Sequence, residues 1–171
     1  MIKKMGALLL TLLFMTTAAF AASSIPEIVY TYIPQSAQLT ESEFDDGCWE
    51  YEFRDGDIRY DLLLKDGVPL ALTIDYLLIR PSKENTLSQE AIAAAIPGEI
   101  LYAKAEKDDG RWSWKVIARQ DQELFEYDLN AENGQIIEME QYFGVSLELP
   151  EGSYRSLDLE WDDGLLGFDI D

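Results

Sequence analysis

The chain carries one short pattern twice, and that repetition limits the folds open to it. Asp45-Asp46-Gly47-Cys48-Trp49 returns 63 residues later as Asp108-Asp109-Gly110-Arg111-Trp112, and Ile33-Pro34 returns as Ile96-Pro97 at the same spacing. Further on, Tyr60-Asp61-Leu62 matches Tyr127-Asp128-Leu129 and Gly67 matches Gly134, now 67 residues apart. Ordered anchors at a nearly constant period are the mark of a duplicated unit. The change in spacing places four extra residues around Gln120 to Glu123, where a longer hairpin loop is the expected outcome.

Within each unit the apolar residues alternate. Trp49, Tyr51 and Phe53 alternate with Glu50, Glu52 and Arg54, and Trp112, Trp114 and Val116 with Ser113 and Lys115. Ile58 to Leu62 and Phe125 to Leu129 repeat the period of two, which marks strands with one buried face. Final strands are expected near Leu70 to Tyr76 and Ile136 to Tyr142. Asp46-Gly47, Asp55-Gly56, Asp66-Gly67, Asp109-Gly110 and Asn133-Gly134 punctuate them as hairpin turns.

A helix is predicted ahead of each set of strands. Thr86-Leu87-Ser88-Gln89 has the form of a capping box before Glu90 to Ala95, and Pro97-Gly98 ends the run. Ser24-Ile25-Pro26-Glu27 is a second capping box, opening a helix to about Ile33. The predicted class is α+β: two tandem repeats, each a helix plus an antiparallel meander of three or four strands, the sheets joined or separate and the helices on one face.

The N-terminus reads as a targeting segment. Lys3 and Lys4 precede an apolar stretch from Met5 to Phe14, and Ala19-Phe20-Ala21 offers a small-x-small cleavage site before Ala22. The stretch is short for a membrane span, which needs roughly 20 residues. The expected organisation is a signal peptide over 1–21, a first repeat over 22–80, a second over 81–144, and an acidic tail over 145–171 with strand-like pieces at Ser156 to Trp161 and Leu165 to Ile170. A periplasmic or secreted location follows, with no stable membrane insertion after cleavage.

The run Thr86 to Ala95 resembles the opening helix of the PepSY domain family. Leu124-Phe125-Glu126-Tyr127-Asp128-Leu129-Asn130-Ala131-Glu132-Asn133-Gly134-Gln135-Ile136-Ile137 is similar to that family's closing hairpin. The resemblance spans roughly Thr86 to Phe143, with Ile25 to Leu78 as a degenerate version, and the tandem layout is similar to that of β-lactamase-inhibitor-protein-like periplasmic proteins. It implies an exported domain, linked in metalloprotease propeptides to protease inhibition, with no catalytic residues to carry over.

Composition excludes several functions. Asp and Glu number 33 against 13 Lys and Arg, a net charge of −20. Such a surface repels phosphate backbones and anionic membranes. The chain has no histidine, so Ser-His and Cys-His nucleophiles and the usual zinc sites are excluded. No Gly-rich phosphate loop appears. The Asp-Asp-Gly turns read as hairpin residues rather than calcium ligands, and the many carboxylates as a solvated face. Cys48 is the only cysteine, so no internal disulfide forms; a buried or inert thiol and an intermolecular bridge are the readings open to it.

No catalytic residue, cofactor or metal site is expected. Trp49, Tyr51, Trp112 and Trp114 read first as core under the helices and second as candidate partner-binding residues. The functional expectation is an exported, non-catalytic binding module that inhibits a protease or modulates another envelope protein, with a basic protein as the partner favoured by charge. The alternative is a structural or cation-associating envelope protein.

Overall fold

The computed structural model describes residues 25–144, together with the backbone of 158–162 and 165–169. The expected targeting segment over 1–21 and the expected cap at Ser24 lie outside the described residues.

A single antiparallel sheet dominates. Strands β1 (Gln38–Asp45), β2 (Cys48–Asp55), β3 (Ile58–Lys65), β4 (Val68–Tyr76), β5 (Glu99–Asp108), β6 (Arg111–Gln120), β7 (Glu123–Asn130) and β8 (Ile136–Tyr142) form eight strands in the order β1-β2-β3-β4-β8-β7-β6-β5. Among the described residues the helices are α1 (Val29–Tyr32) and α2 (Gln89–Ala95), four and seven residues long. The expected architecture of two helix-plus-meander repeats is therefore corrected to one continuous, mostly β sheet. Its physical basis is the antiparallel pairing of β4 with β8, from Ala71↔Tyr142 to Asp75↔Glu138. Two separate sheets would each leave an inner edge unpaired, and an unpaired edge is a template for unwanted strand addition. In the tail, β9 (Asp158–Asp162) and β10 (Leu165–Asp169) pair antiparallel with each other.

The helices are short for reasons that are local. Val29, Tyr30, Thr31 and Tyr32 are β-branched or aromatic, and α1 has no side-chain cap. The N-cap of α2 is Ser88, whose Oγ accepts from the Ala91 N–H at 3.3 Å, and not Thr86 as the capping-box pattern suggested. Thr86 Oγ1 instead donates to the Glu132 carbonyl at 3.1 Å. Because a seven-residue helix depends strongly on its ends, Ser88→Ala is expected to cost about 1 kcal/mol; a chemical denaturation midpoint unchanged from wild type would refute the cap.

The turns follow from glycine and aspartate chemistry. Asp46 and Gly47 have φ +46° and +79°, and Asp109 and Gly110 have φ +46° and +77°, so both hairpins close through two left-handed residues as a type I′ turn requires. The Gln120 to Glu123 connection is not a lengthened loop. Gln120 pairs directly with Glu123, leaving a two-residue turn at Asp121 and Gln122. The extra residues lengthen the hairpin: Trp114 faces Leu129 and Val116 faces Tyr127, and pairing continues through Ala118↔Phe125 to the turn.

Alternation sorts the side chains onto two faces. On the helix face, Val29 and Ile33 pack with Tyr51, Phe53, Tyr60, Leu62, Leu64 and Leu72. Ile92 and Ile96 pack with Trp114, Val116, Ala118, Tyr127 and Leu129. The opposite face carries a smaller apolar group of Ala71, Tyr102, Ile117, Leu124 and Tyr142.

Candidate functional site

The face opposite the helices carries most of the sheet's partly buried charge. Strand registers align its side chains in rows that cross the sheet. One row runs Arg54, Arg59, Asp75, Glu138, Asp128, Lys115, Lys104 on β2, β3, β4, β8, β7, β6 and β5. Cations flank it and three carboxylates meet at its centre. The next row runs Glu41, Glu52, Asp61, Thr73, Glu140, Glu126 from β1 to β7 and contains no cation.

Two bridges tie the rows together. Arg59 contacts Asp75, and its Nε lies 3.1 Å from Asp61 Oδ2, although that Nε lacks an aligned hydrogen bond. Lys115 Nζ lies 2.9 Å from Glu126 Oε1, reaching diagonally past its direct neighbour Asp128. The side chains of Asp61, Asp75 and Glu126 are only 18%, 14% and 16% exposed. The expectation of a solvated acidic face is thus corrected for these residues.

Burial has the anticipated electrostatic consequence. It lifts Asp61 to about 6 in spite of Arg59. Burial also raises Glu126, Asp128 and Glu140, each against the pull of Lys115. Glu138 is pushed furthest, to about 8, by burial, by a hydrogen bond to Asp75 and by the charges of Asp75, Asp128 and Glu140. At neutral pH it holds a proton that lets three carboxyl groups stand side by side at the β4–β8 seam.

A hollow of about 180 Å³ is lined by Glu50, Asp61, Leu63, Ala71, Thr73 and Glu140, below the ~300–1,000 Å³ typical of small-molecule sites. A larger one of about 320 Å³ is lined by Gln89, Ile100, Leu101, Tyr102, Ala103 and Lys104, and Lys104 Nζ lies 3.1 Å from Glu106 Oε1. Among the described residues no group of three or more Asp, Glu, Cys or His side chains has a metal-binding arrangement. Asp46 and Asp109 sit in left-handed turn positions, which accounts for their recurrence.

The aromatic residues singled out in the sequence all lie on the helix face but in two separate groups. Tyr51 and Trp114 are buried, and Trp114 Nε1 donates to Asn85 Oδ1 at 3.1 Å. Trp112 is half-buried beneath Lys107, whose Nζ is 5.3 Å from the ring centre. Trp49 is 36% exposed and stacks on Tyr51 at 5.8 Å. Its other neighbour is Phe44 on β1, 5.2 Å away and 58% exposed. Cys48 points to the face opposite Trp49 and is half-exposed.

Sequence reasoning did not single out Phe44 or the strand that carries it. The signal was present: Ser42 and Phe44 alternate with Glu41, Glu43 and Asp45. So few apolar residues in a polar stretch gave the period of two little weight.

No family model matches the chain, and no curated protein matches it. Among solved structures the chain is similar to a cysteine-rich secretory protein from Staphylococcus aureus subsp. aureus Mu50, with 12% identity and a TM-score of 0.40. The match covers 68% of this chain and 42% of that one, so this chain spans less than half of its length. Likeness at that level defines neither fold nor function.

Proposed function

We propose that the protein is an exported, non-catalytic binding module that takes a basic protein partner. The observation that carries this reading is the uncompensated acid at the β1 edge of the sheet. Glu41 faces Glu52 and Glu43 faces Glu50 across β1 and β2. Like charges placed directly opposite each other weaken a sheet, and a cationic surface docked against them removes that repulsion while gaining attraction. The overall charge of −20 adds long-range steering of the same sign. The PepSY resemblance supports an exported binding role on the residue pattern of Thr86 to Phe143, with protease inhibition or modulation of an envelope protein as its specific form.

Affinity capture from envelope extract tests the reading. Bound proteins are expected to be predominantly basic and to elute between about 50 and 500 mM NaCl, where the screening length falls below the spacing of surface charges. Capture of mainly acidic proteins, or retention unaffected by salt, would overturn it.

A further inference from the structure

The geometry points to β1 as a strand-addition site for an extended segment of a protein partner, one in which apolar residues alternate with Lys or Arg. This deepens the basic-partner reading and rests on it. β1 is an outer strand of the eight-stranded sheet, so its far side has no partner strand among the described residues. The other outer strand, β5, is less open because α2 lies against it; each edge strand carries one bulge, between Leu39 and Glu41 in β1 and between Ile100 and Tyr102 in β5.

The outward backbone groups of β1 are placed by its turn. The two-residue connection at Asp46-Gly47 makes Asp45 and Cys48 the closing pair. Antiparallel alternation then directs the N–H and C=O groups of Ser42 and Phe44 away from β2. Main-chain bonding along such an edge supplies affinity, and side chains on its two faces supply selectivity.

Those faces are unlike. On the helix face, Leu39 is 40% exposed and Phe44 58%, and Phe44 lies against Trp49. Apolar side chains of an added strand would cover them. On the opposite face Glu41, Glu43 and Asp45 project beside Glu50 and Glu52, with Glu41 and Glu43 each facing a second glutamate. Lys or Arg at the alternate positions of the added strand would sit next to these pairs and relieve their repulsion. The same acids disfavour a second copy of β1 as the occupant, because they would then oppose themselves.

The test uses the full chain and an acetylated eight-residue peptide of alternating Lys and Val, labelled for fluorescence anisotropy at low salt. The comparison peptide has the same composition in two blocks, all Lys then all Val. The alternating peptide is expected to bind at least tenfold more tightly. Ser42→Pro removes one outward N–H at an edge position that tolerates proline, and Phe44→Ala removes the exposed ring. Each is expected to weaken binding of the alternating peptide at least tenfold. Hydrogen exchange on the wild type provides a check independent of variant folding: the Ser42 and Phe44 amides should gain protection when peptide is added. Equal binding of both peptides with no added protection on β1 overturns the strand-addition site and leaves the basic-partner reading standing. No binding by either peptide overturns both. Protection of the β1 amides that rises with protein concentration alone assigns the edge to a second copy and also overturns the proposal.

Discussion

Gly98→Ala is expected to lower the melting temperature by about 10 °C, a larger loss than any other glycine substitution in the sheet would produce. Gly98 connects the end of α2 to the start of β5 with φ +95°, a conformation that a side chain resists. A Cβ built there meets the Arg119 carbonyl oxygen at 2.4 Å and Gln120 Cγ at 2.7 Å. The first of these is backbone at the end of β6, held by its pairing with β5 and β7, so it has little freedom to retreat. Backbone strain and overpacking together cost roughly 2–5 kcal/mol, and a chain of this length loses about 2–4 °C per kcal/mol. Gly67→Ala is the comparison. Its φ is +78°, but nothing lies within 4 Å of the added carbon, so only the conformational cost of about 1 kcal/mol applies. Thermal unfolding followed by circular dichroism separates the two. If Gly98→Ala melts no lower than Gly67→Ala, the close approach to β6 does not constrain the fold.

The second large effect concerns pH. Wild-type stability is expected to fall as pH rises from about 4.5 to about 8, and Glu138→Gln is expected to abolish much of that slope. In the folded chain Glu138 keeps its proton up to about 8, whereas unfolded it releases the proton near 4.5. Between those values the native state binds one proton more than the unfolded state, so each unit of pH disfavours folding. Below the window both states are protonated and above it neither is, so the contribution is flat at both ends. Asp61, raised to about 6, acts in the same direction between its ordinary value of 3.8 and 6. A neutral amide at position 138 retains the ability to donate to Asp75 and removes two cross-strand like-charge pairings, with Asp75 and Asp128. At pH 8 this should stabilise the variant by about 1–2 kcal/mol, since such pairs cost up to ~1 kcal/mol each where partly buried. At pH 4 the two proteins should melt together. Parallel melting-temperature profiles for wild type and variant across pH 4 to 8.5 would show that the seam proton is not on Glu138.

The seam also explains why the acidic residues resist interpretation one at a time. Asp75, Asp128 and Glu138 lie on β4, β7 and β8, and each looks like the polar half of an ordinary alternating strand. Their meaning comes from the register. Asp75↔Glu138 and Asp128↔Glu138 are cross-strand pairs, and the first of them joins residues more than sixty positions apart in the chain. No periodicity within a strand reports which residue will stand opposite on the next one. The exposed pair Phe44 and Trp49 was half-legible for the same reason. Trp49 stood out by its size and its alternation with Glu50. Its exposure depends on lying beside an edge strand, and position in the sheet is a tertiary property.

What the amino-acid sequence determined by itself was the local geometry. Period-two patterning marked β2, β3, β6 and β7, and Asp-Gly pairs placed the β1–β2, β3–β4 and β5–β6 turns, because side-chain alternation and positive φ are decided within a few residues. The shortness of α1 follows from its β-branched and aromatic residues. Only the tertiary structure decided that β4 would pair with β8 into one sheet, which strands would be left at its edges, and that three carboxyl groups would meet at the seam. Those outcomes rest on contacts between distant segments, where removing two edges from water and burying the helix-facing side chains together outweighs the repulsion among a few acids on the other face.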